Sequence, residues 1–294
     1  MTTETPARAR PRRGMGALLT SALLAPASFW YLFLLIIPIG LVVIYSFGER
    51  GPDGGYVPGF SGANYQIVFD RPAPFILSLQ LAIVGTFLCA LVAFPLAYFI
   101  ATRVTKRKTL LVILLVIPFW TSFLIRTIAW LTILGPRGIG GFVSSVTGQD
   151  IQILGTPAAV LLGIVYNYLP LMVFPLYVTL ERLDRTLLEA SKDLGAARWA
   201  TFRQVTLPIV WPGLITGSIL VFIPLMGEYV IPSILGRGKV FLIGNVLQLD
   251  FLSSRDWPAG SAKAVVLIAI MLISISFYLW ITNRGRRGRE VSVL

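Results

Sequence analysis

Six stretches of this chain are long, apolar and nearly free of charge, and their recurrence constrains the fold more than any single motif. Gly14 to Gly48, Pro72 to Thr102 and Thr156 to Leu180 contain no charged residue. Thr109 to Leu134 is interrupted by Arg126, Leu207 to Leu235 holds Glu228, and the last stretch runs from near Lys263 to Thr282. About 20 apolar residues cross the hydrocarbon of a bilayer. Inside that layer a segment must satisfy its own backbone hydrogen bonds, which selects helices. Only 13% of the 294 residues are charged, where a soluble domain carries about 25%. These patterns predict an all-α integral membrane fold with six transmembrane helices. The start resembles a secretory signal, since Arg8, Arg10, Arg12 and Arg13 precede an apolar run and Ala25-Pro26-Ala27 resembles a cleavage site. The uncharged run far exceeds the ~7 to 15 residues of a signal core, so a retained first span over about Leu23 to Phe47 is expected.

Between the spans, Glu49 to Arg71, Gly135 to Gly155 and Gly236 to Ala262 read as polar loops, and Arg103, Lys106, Arg107 and Lys108 form a basic turn. Most of the 25 Lys and Arg lie in four places: the first residues, that turn, a polar segment at 181–208, and the C-terminal residues. Cationic loops stay on the cytoplasmic side, so these four segments and both termini are assigned there. The expected organisation is a basic cytoplasmic tail at 1–22, a six-span domain at 23–283 that includes 181–208, and a second basic tail at 284–294. No internal repeat supports an inverted-repeat carrier.

Composition also removes several chemistries. The formal charge of +12 flanks apolar segments instead of forming a soluble basic face, which argues against nucleic acid and for membrane lipid. With no histidine and a single cysteine, Cys89, the chain has no disulfide, no usual zinc set and no Ser-His-Asp triad. The nearest approach to a phosphate-binding loop is Gly236-Arg237-Gly238-Lys239, followed by Val240 and not by Ser or Thr. ATP is therefore not bound here by that route. No cofactor, metal or enzymatic activity is expected of this chain.

The segment Glu189 to Pro208, EASKDLGAARWATFRQVTLP, is the one long polar stretch between two strongly apolar ones. Thr186 and Glu189 have the spacing of a capping box. Leu187, Ala190, Ser191 and Leu194 fall on one helical face, and Gly195 can take the left-handed conformation that ends a helix. A second stripe, Trp199, Phe202 and Val205, leads to Leu207-Pro208, where proline suits a helix's first turn. Two short helices broken at Gly195 are expected. The segment resembles the EAA loop of ATP-binding-cassette (ABC) importer permeases: Glu189, Ala190, Gly195, Val205, Leu207 and Pro208 match at the family's spacing, and Ser191 replaces the second alanine. That resemblance implies a cytoplasmic coupling helix between spans four and five, with Glu189, Ala190, Ser191, Asp193, Gly195, Ala196, Leu207 and Pro208 contacting a separate ATPase.

Downstream, Gly227-Glu228-Tyr229-Val230-Ile231-Pro232, Leu242-Ile243-Gly244-Asn245 and Arg255-Asp256-Trp257-Pro258-Ala259-Gly260-Ser261-Ala262 resemble segments of spermidine/putrescine permeases. The resemblance implies a multi-pass subunit of the bacterial inner membrane. Its partners would be a second homologous permease chain, two ATP-binding subunits that hold ATP and Mg²⁺, and an extracytoplasmic substrate-binding protein. The outer loops alone do not favour a polycation, because their acids are matched by Lys and Arg.

Arg126 and Glu228 are costly to place within spans, which makes them functional candidates. From the helical rise they lie roughly 27 and 31 Å from the cytoplasmic ends of their spans, towards the outer side. Glu228, Tyr229, Arg126 and Trp257 are the candidate substrate-path residues. Two alternatives stay open: Arg126 reaching the outer headgroups, and the two charges pairing with each other. Gly213 and Gly217 permit close helix approach, and Pro208, Pro212, Pro224 and Pro232 predict a kinked fifth span. The rival functions are an importer for another small solute and an ion-coupled carrier or channel, in which the polar knuckle would have no purpose.

Overall fold

The computed structural model describes residues 13–104 and 106–290, so most of the N-terminal basic tail and the last four residues lie outside the described residues. The chain folds as α1 (Arg13–Ser46), a two-residue hairpin of β1 (Glu49–Arg50) and β2 (Tyr56–Val57), α2 (Ala63–Asp70) and α3 (Ala73–Arg103). Next come α4 (Lys108–Val116), a 3₁₀ turn at Ile117–Trp120, α5 (Phe123–Leu134), α6 (Ile139–Thr147) and α7 (Pro157–Glu181). After α8 (Arg185–Asp193) and α9 (Arg198–Thr201), a π-helical turn at Phe202–Thr206 leads into α10 (Leu207–Met226). The chain ends with α11 (Val230–Leu235), α12 (Ile243–Gln248), a π-helical turn at Leu249–Ser253 and α13 (Trp257–Glu290). Five helices are long and apolar enough to cross a membrane, and a bent pair makes a sixth if counted as one span.

The core is the trio α3, α7 and α10, which buries Cys89, Ala93, Ala97, Ile164, Met172, Leu176, Val221 and Leu225. Glycines set how closely these helices pack. A Cβ on Gly217 would stand 2.7 Å from Met172 Sδ, and one on Gly213 would collide with Thr179 Oγ1. The Gly-x-x-x-Gly pair therefore seats α10 on α7 within this chain. By contrast α1 crosses with none of its apolar window buried and packs mainly on α13.

Four expectations change. The third span is broken, not continuous: Pro118 lacks an amide donor, Thr121 and Ser122 are extended, and the parts on either side differ in direction by 90°. The fifth span ends at Met226 and not at Leu235, with Gly227 to Tyr229 outside any helix. The loops at 49–71, 135–155 and 236–262 carry helices, and bonds to other elements fix the first and last of them. Asn64 Nδ2 donates to the carbonyls of Ser46 and Gly48, and the Ile243 amide donates to Ser78 Oγ. Finally, α13 begins at Trp257, ahead of Lys263, and is helical through Glu290.

If the two glycines set the α7–α10 distance, Gly217→Leu lowers stability by about 1–3 kcal/mol through overpacking. Gly62→Ala, with open space around its Cβ position, leaves it unchanged. Thermal unfolding of the two variants in one detergent, beside the wild type, measures the difference.

Candidate functional site

Two polar regions stand out against the apolar bundle. The first is the knuckle at 181–208. Its helix α8 starts at Arg185, just before Thr186: Asp184, two residues ahead of Thr186, is the N-cap, accepting the Thr186 amide at 3.0 Å. The Thr186–Glu189 capping box is therefore replaced by an aspartate cap, which serves a helix start as well as serine or threonine does. That amide holds the Asp184 carboxyl below the usual carboxylate range. Glu189 is left exposed and, among the described residues, forms no hydrogen bond or ion pair.

Helix α8 ends as the glycine requires. Gly195 has φ +76°, its amide donates to the Lys192 carbonyl and the Ala196 amide to the Ser191 carbonyl. That pair of bonds is the Schellman arrangement. The second arm differs from expectation. Arg198 to Met226 forms one continuous helical run, so Leu207-Pro208 lies inside it and the π-helical turn just before makes room for the proline. The Ser191 and Thr201 hydroxyls meet at 2.9 Å and tie the two arms together. The motif's departure from alanine at this position thus has a structural use. Glu189, Ala190, Asp193 and Gly195 are exposed, while Ser191, Ala196, Leu207 and Pro208 are half-buried. Leu194 and Trp199, 87% and 70% exposed, add an apolar surface. Lys108 bonds Glu181 at 2.8 Å, joining the basic turn to the base of the knuckle.

The second region is the break after α10. Glu228 is buried, and its Oε1 accepts the amides of Val230 at 2.7 Å and Ile231 at 3.1 Å, capping α11. Its Oε2 accepts the Tyr168 hydroxyl at 2.5 Å. Tyr168 lies near the middle of the 25-residue α7, roughly 17 Å from one end and 20 Å from the other by the helical rise. Glu228 is therefore well inside the membrane. Asn245 closes the other side, its Nδ2 donating to the Tyr229 carbonyl and Ser233 Oγ, and its Oδ1 accepting from the Leu242 amide. Sequence reading missed Asp184, Tyr168 and Asn245; of these only Asp184 carries a local signal, as a capping residue just ahead of an amphipathic run.

Arg126 is 8% exposed. Its guanidinium lies over the Phe119 ring at 5.3 Å and the Phe123 ring at 6.0 Å, beside the break. It does not pair with Glu228: the ion pairs among the described residues are Lys108–Glu181 and Lys263–Asp250. In place of the pairing with Glu228, Arg126 is held by an aromatic clamp. Tyr229 and Trp257 are each about two-fifths exposed; Trp257 lies 6.4 Å from the Tyr45 ring. Phe123 packs on Tyr168, so rings connect the surroundings of Arg126 to the Glu228 network.

Residues 93–287 match the family described as "Binding-protein-dependent transport system inner membrane component". The chain is 38% identical over 254 residues to the "Spermidine/putrescine transport system permease protein PotB" of Haemophilus influenzae, across 85% of this chain and 89% of that protein. The protein of the same description in Escherichia coli K12 is 36% identical over 261 residues, covering 87% and 94%. In structure, the chain resembles one from a bacterial ABC transporter that imports the acidic polysaccharide alginate, with TM-score 0.68 over 91% of this chain and 96% of that one. At 16% identity, that likeness shows the fold alone.

Two outcomes follow from these networks. Glu228→Ala leaves two buried amides and a phenol without an acceptor and costs about 2–3 kcal/mol, or more, while Glu228→Gln retains most of the stability; detergent melting curves separate them. Asp184 stabilises the start of α8 above the ordinary carboxylate pKa, and this support is lost as pH falls through the lowered one. The protection of the Thr186 amide, its exchange rate taken relative to the intrinsic rate at each pH, therefore falls on acidification in wild type but changes less in Asp184→Asn, which keeps the cap without the titration.

Proposed function

We propose that this chain, which belongs to the family of binding-protein-dependent transport system inner membrane components, is a permease subunit of an ATP-driven importer of polyamines such as spermidine and putrescine. Near full-length similarity to permeases named for those substrates carries the reading. The chain is an inner-membrane transport subunit and not an enzyme. A partner ATPase pair holds ATP and Mg²⁺ and does the hydrolysis.

In this reading the polar segment 181–208 is the coupling element. Its arms are braced by the Ser191–Thr201 contact and its end is set by Gly195, so a push on α8 is passed into the continuous helix from Arg198 to Met226. Glu189, Ala190, Asp193, Leu194 and Trp199 offer an exposed charged and apolar surface suited to a groove on a soluble subunit. Glu189, which has no partner among the described residues, can meet a cation there. The knuckle and both termini face the cytoplasm, with a six-span domain at 23–283 between basic tails. A second homologous permease completes the pathway, and a substrate-binding protein delivers solute to the opposite face.

The substrate path is assigned to Tyr229 and Trp257, whose exposed rings can receive a cation on their faces. Glu228 shapes that path by fixing the break and capping α11. Alternating access then follows from movement of the knuckles when the ATPase pair closes on ATP.

The test is co-purification from native membranes in mild detergent, followed by transport in vesicles. Wild type brings down an ATPase and a second permease, and a polyamine-loaded binding protein stimulates ATP hydrolysis. Stimulation by a different solute instead would make this an importer of that solute. Glu189→Lys and Gly195→Val remain in the membrane but lose the ATPase and uptake, the second because valine strains the left-handed turn by about 1–3 kcal/mol. Full uptake by both variants would sink the coupling assignment.

A further inference from the structure

We propose that the cavity enclosed by α6, residues 150–154 and the Gly236–Lys239 turn receives an acidic side chain of the substrate-binding protein, with Arg237 as its partner. This rests on the importer reading above, which supplies that protein.

The cavity lies at the end of the bundle away from the knuckle. Its walls stand between the end of α5 at Leu134 and the start of α7 at Pro157. The 25 residues of α7 then separate it from the knuckle by roughly 37 Å of helix. Bonds between the segments hold it open. The Gly155 amide donates to the Leu235 carbonyl at 2.8 Å, and the Ile151 amide to Ser144 Oγ at 3.0 Å. The enclosed volume is about 400 Å³, lined in part by Pro136, Ser144, Asp150, Gln152 and Arg237. None of the core trio contributes to its walls.

Arg237 has no use within the described residues, where it forms no ion pair, and Asp150 in the same cavity does not pair with it. Its backbone is also in an expensive state. The Lys239 amide donates to the Gly236 carbonyl at 2.8 Å, closing a turn whose two central residues have positive φ, +46° at Arg237 and +73° at Gly238. Gly, Asn or Asp takes such a position at lower cost. An arginine kept there against the backbone preference points to a use for its side chain.

The charge around the mouth selects the occupant. Segments 135–155 and 236–241 hold Arg137, Arg237 and Lys239 against the single acid Asp150, and all four are exposed. A polyamine is repelled by that rim. The importer reading brings a folded protein to the same face, and a carboxylate on its surface can take two N–H groups of the planar guanidinium. A neighbouring donor on that protein can meet Asp150. Complementary charge at a rim steers encounter and fixes register, which suits a partner that must dock and leave in each cycle. The Gly-Arg-Gly-Lys run, which cannot serve as a phosphate loop, thereby acquires a role.

The experiment titrates solute-loaded binding protein onto the assembled importer in nanodiscs and reads ATP hydrolysis, with the second permease recovered measured alongside. Arg237→Lys stays near wild type, Arg237→Asn, which suits the turn, raises the half-saturating concentration about fivefold, and Arg237→Glu raises it about tenfold or more, each with the wild-type rate at saturation. Added salt weakens wild-type docking more than that of Arg237→Asn. Changing acidic residues of the binding protein to arginine one at a time restores docking to the Arg237→Glu importer at a single position. Wild-type half-saturation in both the Asn and Glu variants overturns the proposal, as does a rise that no such reversal offsets. Loss of the second permease from Arg237→Asn also overturns it and makes this face a contact between permeases. Normal docking with altered solute selectivity overturns it too and moves Arg237 to the solute path. If no loaded binding protein stimulates the wild-type importer, the importer reading itself falls, and this proposal with it.

Discussion

The Glu228 carboxylate makes the rest of the architecture possible. A helix that stops inside a bilayer exposes amides and carbonyls to a medium that cannot bond them. The chain stops at Met226 and restarts at Val230, and Glu228 accepts the first amides of the new helix while Tyr168 donates to its other oxygen. Asn245 then bonds the Tyr229 carbonyl, and Ser78 the Ile243 amide. With those groups satisfied, the segment between α10 and α13 can fold back into the bundle. The break is thereby fixed to α7 and α3, two of the core helices.

That core in turn continues into the knuckle. The close seating of α10 on α7 at Gly213 and Gly217 leaves little room for slippage. Because α8 is tied through Ser191 and Thr201 to the helical run that becomes α10, the knuckle joins the core through one continuous element and not through a loop. The Lys108–Glu181 pair adds a contact between the basic turn and the end of α7, though a half-exposed ion pair contributes little stability by itself.

Much of the fold was legible in the residues, for reasons that can be named. The uncharged runs gave membrane-spanning helices, since length and apolarity alone decide whether a segment can cross. Gly195 was readable as a helix end because its conformational freedom is local. The capping box was misread: Thr186 and Glu189 have the right spacing, yet Asp184 two residues earlier takes the amide. Two competent caps in one short stretch cannot be ranked without the backbone. The break at Thr121 and Ser122 was missed although Pro118 was visible, because prolines are tolerated in many membrane helices, Pro170 and Pro175 of α7 among them.

By itself, the sequence determined the class, the number of apolar segments, and the family motif at Glu189 to Pro208, because each depends on residue type at fixed spacing along the chain. Only the tertiary structure decided what the two embedded charges do. Glu228 and Arg126 look equivalent in the sequence, each a lone charge in an apolar run, but one is saturated by Tyr168 and two amides and the other is clamped by two rings, with no counter-charge among the described residues. Those partners lie up to sixty residues away along the chain. The cost or use of a buried charge depends on the groups brought within hydrogen-bonding distance, and packing alone sets that.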